Sequence, residues 1–382
     1  MIRIYLLSLV ILFNFSCKNK NSASIGKADL RVWVADSTKI DYLGNLGVFD
    51  YDPSSGLFLG RNNATEEIIL FDDAGEIRHQ YVMLTEGPNS ITWATGIGFL
   101  DGQVCILDRK MGIVTFTPDG GISRVISIPN DYYHLNGVSF AARKMGDELA
   151  YIKPMREDFD VSNWSDTYRI TYKSPIIELL EPSSGSIRSS MSFPPNTVYE
   201  SGNYYHWTFP TVVKYENEWL LYMLAERKYH VYREEDGEIA YKKSVEIPIK
   251  DAIDIKGVPL SSIEDIYETS RFNIFGKIEH LFHRGTDILV IYTKGVPEEL
   301  VKQQNHDDPI QRMQFIHSIP RYLAVFDQDH QLIQKDLHLP EHLTFSSVLN
   351  GEGEIVAIKN QESLGLEEDW VTLYKLRVSN IK

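Results

Sequence analysis

Six basic residues occur at equivalent points of a repeat, each shortly after an apolar run that predicts a strand. They are Arg61, Arg109, Lys153, Arg227, Lys294 and Lys359. Because the chain has a formal net charge of −15, a positive ring of these side chains could concentrate an anionic ligand, and we treat all six as candidate binding residues. The alternative is that each cation lies in solvent or pairs with a loop carboxylate such as Asp108 or Glu226. Exposed pairs of that kind contribute only about 0–1 kcal/mol.

A second candidate binding segment is aromatic and consists of Tyr204, Tyr205, His206 and Trp207. Aromatic rings with polar tips suit the flat apolar faces of sugars and the side chains of peptides. Further aromatic residues fall in predicted loops, namely Tyr132, Tyr133, His134, Trp164, Tyr168 and Tyr199. We expect residues 204–207 to contact a ligand. The alternative is that these rings pack long loops against each other.

Signatures of catalysis are scarce in the sequence. The run His306-Asp307-Asp308 lacks the spacing of established metal motifs, so we predict no metal site there. A Gly-x-Ser-x-Gly nucleophile elbow, a phosphate-binding loop and a sialidase-type box are all absent. Scattered carboxylates could form an acid and base pair, but nothing in the sequence brings a particular two together; these are Asp158, Asp160, Glu200, Asp265 and Glu268. We therefore assign no catalytic residue and no cofactor.

Composition indicates a globular protein that does not bind nucleic acid. The chain has 382 residues, of which 43% are hydrophobic and 12% aromatic. Its 38 basic residues are outnumbered by 53 acidic ones, whereas binding to phosphates needs a basic face. The cysteines are Cys17 and Cys105, and the second lies in an apolar run that predicts a buried strand position.

The first residues predict export and lipidation. Arg3 precedes an apolar run at residues 4–13, which as a helix would span about 15 Å, half of a bilayer core. Such a run is typical of a signal peptide. Phe15-Ser16-Cys17 resembles a bacterial lipoprotein signal, which implies cleavage before Cys17 and attachment of lipid to it. The alternative is an ordinary secretory signal with an incidental cysteine.

The expected organisation has three parts. Residues 1–16 are the signal peptide, residues 17–29 are the lipidated cysteine and a flexible tether, and residues 30–382 form one domain. The tether is polar and lacks the acidic residues that resemble a surface-export signal in Bacteroidota lipoproteins. We therefore expect a cell-envelope protein, anchored to the inner or outer membrane and facing the periplasm.

An internal repeat predicts the fold. An apolar strand end, a polar turn and a second apolar residue recur at residues 71–77, 116–122, 181–187, 233–239 and 326–332. Glycine supplies the positive φ of the turn in four copies, as Asp-Gly or Ser-Gly in three of them and as Ala74-Gly75 in the first, whereas the fifth has Asp329-His330. Each copy follows another short apolar strand signal, and convincing helices are few, the best being residues 298–304. Many short strands in a long repeat predict an all-β, six-bladed β-propeller.

Closure of the ring follows from counting strands. Six sets of three inner strands can be identified, but only five outer strands follow them. The C-terminal strand, residues 371–378, has no outer neighbour of its own. We predict that the N-terminal strand, residues 30–35, pairs with it and completes the sixth blade, so that no edge is left open there.

The combination of lipoprotein signal, six blades and Glu86-Gly87-Pro88-Asn89 after the first blade resembles the six-bladed propeller lipoproteins of Bacteroidota, in a family still labelled a domain of unknown function. The resemblance covers nearly the whole mature chain. It implies the propeller fold and the envelope location, but no reaction and no catalytic residues.

Two hypotheses for function remain. All long predicted loops, residues 154–171, 194–208, 248–275 and 294–320, fall on one face, and long loops on a rigid scaffold commonly bind ligands. The first hypothesis is therefore a monomeric, lipid-anchored binding protein, more an interaction module than an enzyme, whose ligand is a glycan, a peptide or an envelope protein. The second is a hydrolase or lyase resembling calcium-dependent lactonases, with Ca²⁺ over the central channel; Asn45 and Asn136 are polar candidates for it.

Overall fold

Six four-stranded antiparallel sheets form the blades of a β-propeller, which confirms the predicted fold class. The structure is a computed structural model that describes residues 29–87, 90–129, 140–156, 162–304 and 308–380. In each blade the strands are lettered A to D outward from the central channel. Neighbouring blades contact one another through their A strands, as β2 does with β6 and β26 in the numbering below.

Strand β1 (Leu30–Ile40) comes first in the chain and belongs to the last blade. Blade 1 consists of β2 (Gly47–Asp52), β3 (Leu57–Asn62), β4 (Glu67–Asp72) and β5 (Ile77–Val82). Blade 2 consists of β6 (Ala94–Leu100), β7 (Gln103–Asp108), β8 (Gly112–Phe116) and β9 (Ile122–Ile126). Short connections join these strands. Cys105 is fully buried on β7, as predicted, and burial raises the pKa of its thiol to about 12.

Blades 3 and 4 carry inserted elements. Blade 3 consists of β10 (Arg143–Met145), β11 (Glu148–Ile152), β12 (Ile177–Leu180) and β13 (Ile187–Ser190), with helix α1 (Trp164–Thr171) between β11 and β12. A 3₁₀ helix (Val198–Ser201) and β14 (Asn203–Tyr204) lead to the next blade. Blade 4 consists of β15 (Thr211–Tyr215), β16 (Glu218–Tyr222), β17 (Lys228–Glu235) and β18 (Glu238–Glu246).

The connection to blade 5 contains β19 (Val258–Pro259), a 3₁₀ helix (Leu260–Asp265), α2 (Ile266–Ser270) and β20 (Ile274–Phe275). Blade 5 follows with β21 (Ile278–Arg284) and β22 (Asp287–Thr293), then the inserted β23 (Gly295–Val296), α3 (Glu298–Lys302) and α4 (Pro309–His317), and finally β24 (Arg321–Asp327) and β25 (Leu332–His338). Blade 6 consists of β26 (Leu343–Leu349), β27 (Ile355–Lys359), α5 (Gln361–Leu364), β28 (Val371–Asn380) and β1.

Apolar side chains pack between neighbouring blades. For example, Leu59 and Ile68 of blade 1 pack with Ile106 and Val114 of blade 2 in one cluster. Inner strands therefore bury both of their faces, which explains why they read as continuous apolar runs. Strand β8 is buried at every residue. The core is thus divided among the interfaces between blades.

The ring closes as predicted, through antiparallel pairing of β1 with β28. Trp33 pairs with Arg377 and Val34 with Leu376, and the pairing continues to Ile40 opposite Val371. Both strands are longer than the predicted residues 30–35 and 371–378. Strand β1 continues to Ile40 through a bulge between Val34 and Asp36, and β28 continues to Asn380. The N-terminal strand therefore covers the edge of the C-terminal one.

The turns between C and D strands confirm the repeat. Gly75, Gly120, Gly185 and Gly237 have φ values of 85°, 86°, 73° and 81°, and His330 occupies the equivalent turn with φ 62°. The His330 ring is buried, and its Nδ1 lies 3.1 Å from the hydroxyl of Tyr229 in blade 4. A histidine therefore accepts a glycine conformation here while its side chain joins two blades.

Helices are short and lie in the connections. Residues 298–304 were the helix expected from the sequence, and α3 is found there, whereas α1, α2, α4 and α5 were not predicted. Each has nine residues or fewer, too few to show a clear apolar periodicity. None of the helices in the described ranges is long and apolar enough to cross a membrane.

Candidate functional site

The two faces of the ring differ in the length of their connections. The A–B and C–D turns form one face, which we call the short-turn face; its longest turns are no longer than residues 181–186. The B–C loops and D–A connections form the opposite face, the loop-rich face. Within the described residues it carries residues 153–156, 162–176, 191–210, 247–277, 294–304 and 308–320, which is the distribution predicted from the sequence.

The long connections of blades 3 to 5 associate into one layer, which we call the loop cap (residues 153–156, 162–176, 191–210 and 247–277). Strand β14 pairs with β19, so that Tyr204 lies opposite Val258. The hydroxyl of Ser165 in α1 donates to the carbonyl of Leu260. Helix α1 begins at Asn163, whose side chain accepts from the Asp166 amide. Residues far apart in sequence thus stabilise one layer on this face.

The predicted aromatic segment, residues 204–207, lies inside the loop cap. Tyr204 is only 7% exposed and donates to the hydroxyl of Tyr168 at 3.0 Å. The Trp207 ring lies 4.5 Å from the Tyr168 ring, and the backbone of His206 accepts from the Tyr172 hydroxyl at 2.7 Å. Burial lowers the pKa of His206. Tyr205 packs over Gly257, where a Cβ would meet its ring at 2.5 Å.

Through these contacts the aromatic segment packs the long loops against each other, which was the alternative to ligand binding. Tyr204 turns its ring inward, while Tyr205, His206 and Trp207 are partly exposed. Of the other aromatic candidates, Tyr199 and Tyr168 are buried in the same cluster. Residues 132–134 lie outside the described residues. A ligand role for residues 204–207 stays a prediction.

Four of the six predicted cations form ion pairs with loop or strand carboxylates. The pairs are Arg61–Glu66 at 2.5 Å, Arg227–Asp254 at 2.8 Å, Lys294–Asp336 at 2.7 Å and Lys359–Glu368 at 2.6 Å. Arg109 lies over the ring of Trp93, 5.7 Å from its centroid. Lys153 lines a small cavity of about 30 Å³. All six lie near the loop-rich end of their blades, but their neighbours in the fold offset much of the charge that a positive ring would need.

A cavity of about 350 Å³ opens where the channel meets the loop-rich face. It is bounded by the first residues of the A strands of blades 4, 5 and 6, since Thr211, Ile278 and Leu343 begin β15, β21 and β26. We call it the channel-mouth pocket. Its other lining residues are Phe209, Tyr222, Leu224, Lys277, Glu279, His280, His317, Arg321, Thr344 and Phe345.

Arg321 and Glu279 form the central ion pair of the pocket wall. The Nε of Arg321 donates to the Glu279 carboxylate at 2.7 Å, and its Nη1 reaches the carbonyls of His317 and Ile319 at 3.4 Å. The hydroxyl of Tyr222 donates to the Glu279 carbonyl at 2.8 Å. The carboxylate in this wall is therefore already neutralised by a positioned guanidinium.

Two histidines line the pocket, His280 and His317, and in each of them Nδ1 lies within hydrogen-bond distance of a neighbouring side chain. Nδ1 of His280 lies 2.9 Å from the hydroxyl of Ser347, and burial lowers the pKa of His280 to about 4. Nδ1 of His317 lies 3.0 Å from the side-chain nitrogen of Asn360, whose oxygen accepts from the Ser363 amide. Because an amide nitrogen donates, Nδ1 of His317 must accept, and the proton of the neutral ring lies on Nε2.

The sequence did not single out the pocket residues. Lys277 and His280 follow a predicted D–A connection, and His317 and Arg321 lie at the end of a predicted B–C loop. A usable signal would have been polar residues at the junction of each long loop with an inner strand. The loops were identified, but which junctions meet around one cavity depends on the order of blades in space.

The residues considered for metal binding in the sequence are only partly described. Asp308 caps α4 by accepting from the amides of Ile310 and Gln311; His306, Asp307 and Asn136 lie outside the described residues. Within residues 29–87, 90–129, 140–156, 162–304 and 308–380, there is no group of three or more His, Cys, Asp or Glu side chains arranged to hold a metal ion. The calcium-dependent alternative stays a prediction.

Comparison with known proteins places the fold in the class of β-propellers and finds particular solved structures that resemble it. No family model matches the sequence, and no curated protein does. The structure is similar to a member of the duf4221 family from Bacteroides vulgatus, with a TM-score of 0.58 and 11% identity over 93% of this chain and 100% of that one. It is also similar to a protein from Bacteroides fragilis that was assigned as exported, with a TM-score of 0.52 and 13% identity over 94% and 97% of the chains.

A gluconolactonase from Xanthomonas campestris is a more distant match, with a TM-score of 0.44 and 10% identity over 92% and 96% of the chains. At such identities the likenesses show the fold alone, and the last is too distant to bear on a reaction. The Bacteroides structures agree with the propeller part of the predicted resemblance. Of the sequence motif, Glu86 and Gly87 lie in the connection after blade 1, and Pro88 and Asn89 lie outside the described residues.

Proposed function

We propose that this chain is a lipid-anchored cell-envelope protein that binds a ligand on its loop-rich face, at and around the channel-mouth pocket. The ligand is a glycan, a peptide or a segment of an envelope protein. The observation that carries the proposal is the concentration of long connections, exposed apolar side chains and the channel-mouth pocket on one face of an otherwise regular ring.

Exposed apolar residues are distributed unevenly over the described surface. Twelve of the seventeen large hydrophobic side chains that are exposed there lie on or beside loop-rich connections. They are Leu43, Val82, Leu84, Trp93, Ile170, Phe209, Tyr267, Leu300, Ile310, Ile316, Leu364 and Leu366. Single exposed apolar residues are ordinary, but their accumulation on one face is typical of an interaction surface.

The position of the first strand supports an orientation in which the loop-rich face points away from the membrane. Strand β1 runs from Leu30 at the short-turn face to Ile40 at the loop-rich face, because its last residues lead into the A strand of blade 1. A lipid on Cys17 would be joined to Leu30 by a tether whose fully extended reach is at most about 47 Å. The membrane would then be nearest the short-turn face, and the loop-rich face would be free to meet a ligand.

The test uses the protein without its signal and anchor, residues 18–382, on glycan and peptide arrays. Thr344 is exposed and lines the pocket on β26, so Thr344→Trp fills the pocket without removing a packed side chain. We expect at least a tenfold loss of affinity for array ligands in this variant. Val125→Trp, on the outer strand β9 and 42% exposed, is the matched control and should bind as wild type does.

Two results would contradict the proposal. One is unchanged binding of every array ligand by Thr344→Trp with melting temperatures equal to wild type. The other is the absence of any array ligand that binds the wild-type protein.

A further inference from the structure

We propose that the channel-mouth pocket recognises a carboxylate group on its ligand, with Lys277 as the main counter-charge. This inference rests on the proposed function and narrows it to a chemical class. It goes beyond the six predicted strand-end cations, none of which lines this pocket.

The charges of the pocket wall do not balance. Its cationic side chains are Lys277 and Arg321, and its carboxylate is Glu279, which Arg321 engages at 2.7 Å. Lys277 is partly exposed and forms no ion pair with a carboxylate in the described part of the chain. One positive charge is thus left over at the pocket of a protein whose net charge is −15.

The position of Lys277 is fixed by its backbone. Its amide donates to the carbonyl of Thr293 at 3.2 Å, and its carbonyl accepts from the Thr293 amide at 3.0 Å. These bonds extend the pairing of β21 with β22 by one step into the loop-rich face. Four of the six strand-end cations have carboxylate partners, whereas Lys277, at the mouth of the channel, forms no such pair within the described residues.

Hydrogen-bond donors outnumber free acceptors among the charged and imidazole groups of the pocket. The Lys277 ammonium and the Nε2–H of His317 are donors, and Arg321 has N–H groups beyond those that bind Glu279 and the two carbonyls. The carboxylate of Glu279 is already engaged. A group that only accepts and carries negative charge complements this arrangement, because charge-assisted hydrogen bonds are the stronger kind.

A single uncompensated cation favours a carboxylate, with one negative charge, over a phosphate dianion. Part of the remaining wall is apolar, with Phe209, Leu343 and Phe345 among its members, and can cover a non-polar part of the ligand. A volume of about 350 Å³ lies at the small end of ligand pockets. It suits a sugar acid or the last one or two residues of a peptide, which share the carboxylate.

The experiment compares matched acids and neutral partners by isothermal titration calorimetry on residues 18–382. One arm uses glucuronate and glucose, and the other uses N-acetyl-alanyl-phenylalanine and its C-terminal amide. We expect the acid of at least one pair to bind at least tenfold more tightly than its neutral partner. The arm that responds identifies the source of the carboxylate, and the preference should weaken as NaCl is raised.

Variants assign the effect to Lys277. Lys277→Ala should abolish the preference for the acid, and Lys277→Arg should retain it, at unchanged melting temperature. The control is Lys144→Ala; this lysine pairs with Asp101 at 2.6 Å near the short-turn face, with both side chains more than half exposed, and the preference should persist in the variant.

Other outcomes overturn the inference. Equal affinity for acid and neutral partner, with binding lost in Thr344→Trp, would leave the proposed binding function standing and remove the carboxylate. Another outcome is competition in which inorganic phosphate displaces either acid at a lower concentration than acetate does. That result would mean that the pocket recognises a phosphate group and not a carboxylate. Binding of none of the four probes would also refute it, whereas the array result above decides the proposed function separately.

Discussion

At the scale of single residues, His280 is partly exposed, yet desolvation dominates the shift of its pKa. Its ring lies in the wall of the channel-mouth pocket, where the Ser347 hydroxyl contacts Nδ1. The charged neighbours of the ring are Glu279, Arg321 and Lys277. Desolvation is the largest effect and lowers the pKa from 6.5 to about 4. Arg321 and Lys277 act in the same direction, and Glu279 opposes them. The folded protein therefore favours the neutral ring.

This predicts a pH dependence of stability. A histidine whose pKa is lower in the folded state stabilises the fold fully above its unfolded pKa, and the contribution is lost as pH falls from about 6.5 towards about 4. His280→Gln should lose less free energy of unfolding than wild type over this interval, measured by urea denaturation at each pH. Ser347→Ala keeps the titrating ring and should keep the slope. Identical slopes in wild type and His280→Gln would contradict the assignment.

At the scale of elements, the closing strand β1 is buried to different extents along its length. Ile40 is fully buried in the cluster between blades 6 and 1, whereas Val34 in the middle of the strand is 39% exposed. Lys375 of β28 is buried and pairs with Asp36 at 3.3 Å and Asp73 at 2.8 Å. These hydrogen bonds and charges outweigh burial and raise the pKa of Lys375. The closing strand thus depends mainly on its C-terminal half.

Truncation of the buried end should therefore weaken closure. Ile40→Ala is expected to lower the free energy of unfolding by about 2–5 kcal/mol, because it removes buried methyl groups and leaves a cavity. Val34→Ala on the same strand is the control and should cost less than about 1 kcal/mol, since the side chain is partly in solvent. Urea denaturation measures both. Similar losses in the two variants would show that β1 does not close the ring through its packed end.

At the scale of the whole molecule, the proposed anchor and the described propeller occupy separate parts of the sequence. The propeller strands begin at Leu30, and the proposed lipid site, Cys17, precedes the described residues. The other cysteine, Cys105, is buried in blade 2, where a lipid could not be attached. One cysteine can therefore be changed as the control for the other.

Lipidation is tested in the full chain expressed in a Bacteroidota host. Cys17→Ala should abolish incorporation of an alkyne-labelled fatty acid and move the protein from the membrane fraction to the supernatant, because the anchor is lost. Cys105→Ala should keep both the label and the membrane fraction. Retention of the label by Cys17→Ala would refute the lipoprotein assignment and, with it, the proposed orientation of the loop-rich face.

Much of this protein is determined by local sequence. Recurring glycine-bearing turns and continuous apolar runs specify strands buried on both faces, and the missing outer strand near residue 378 specifies closure by residues near 30. Tertiary structure alone decided the pocket, because its contacts join distant residues: Arg321 with Glu279, His280 with Ser347 and His317 with Asn360. It also decided which cations are neutralised, since the carboxylates that pair with Arg227 and Lys294, Asp254 in a connection and Asp336 in strand β25, are brought there by packing between elements.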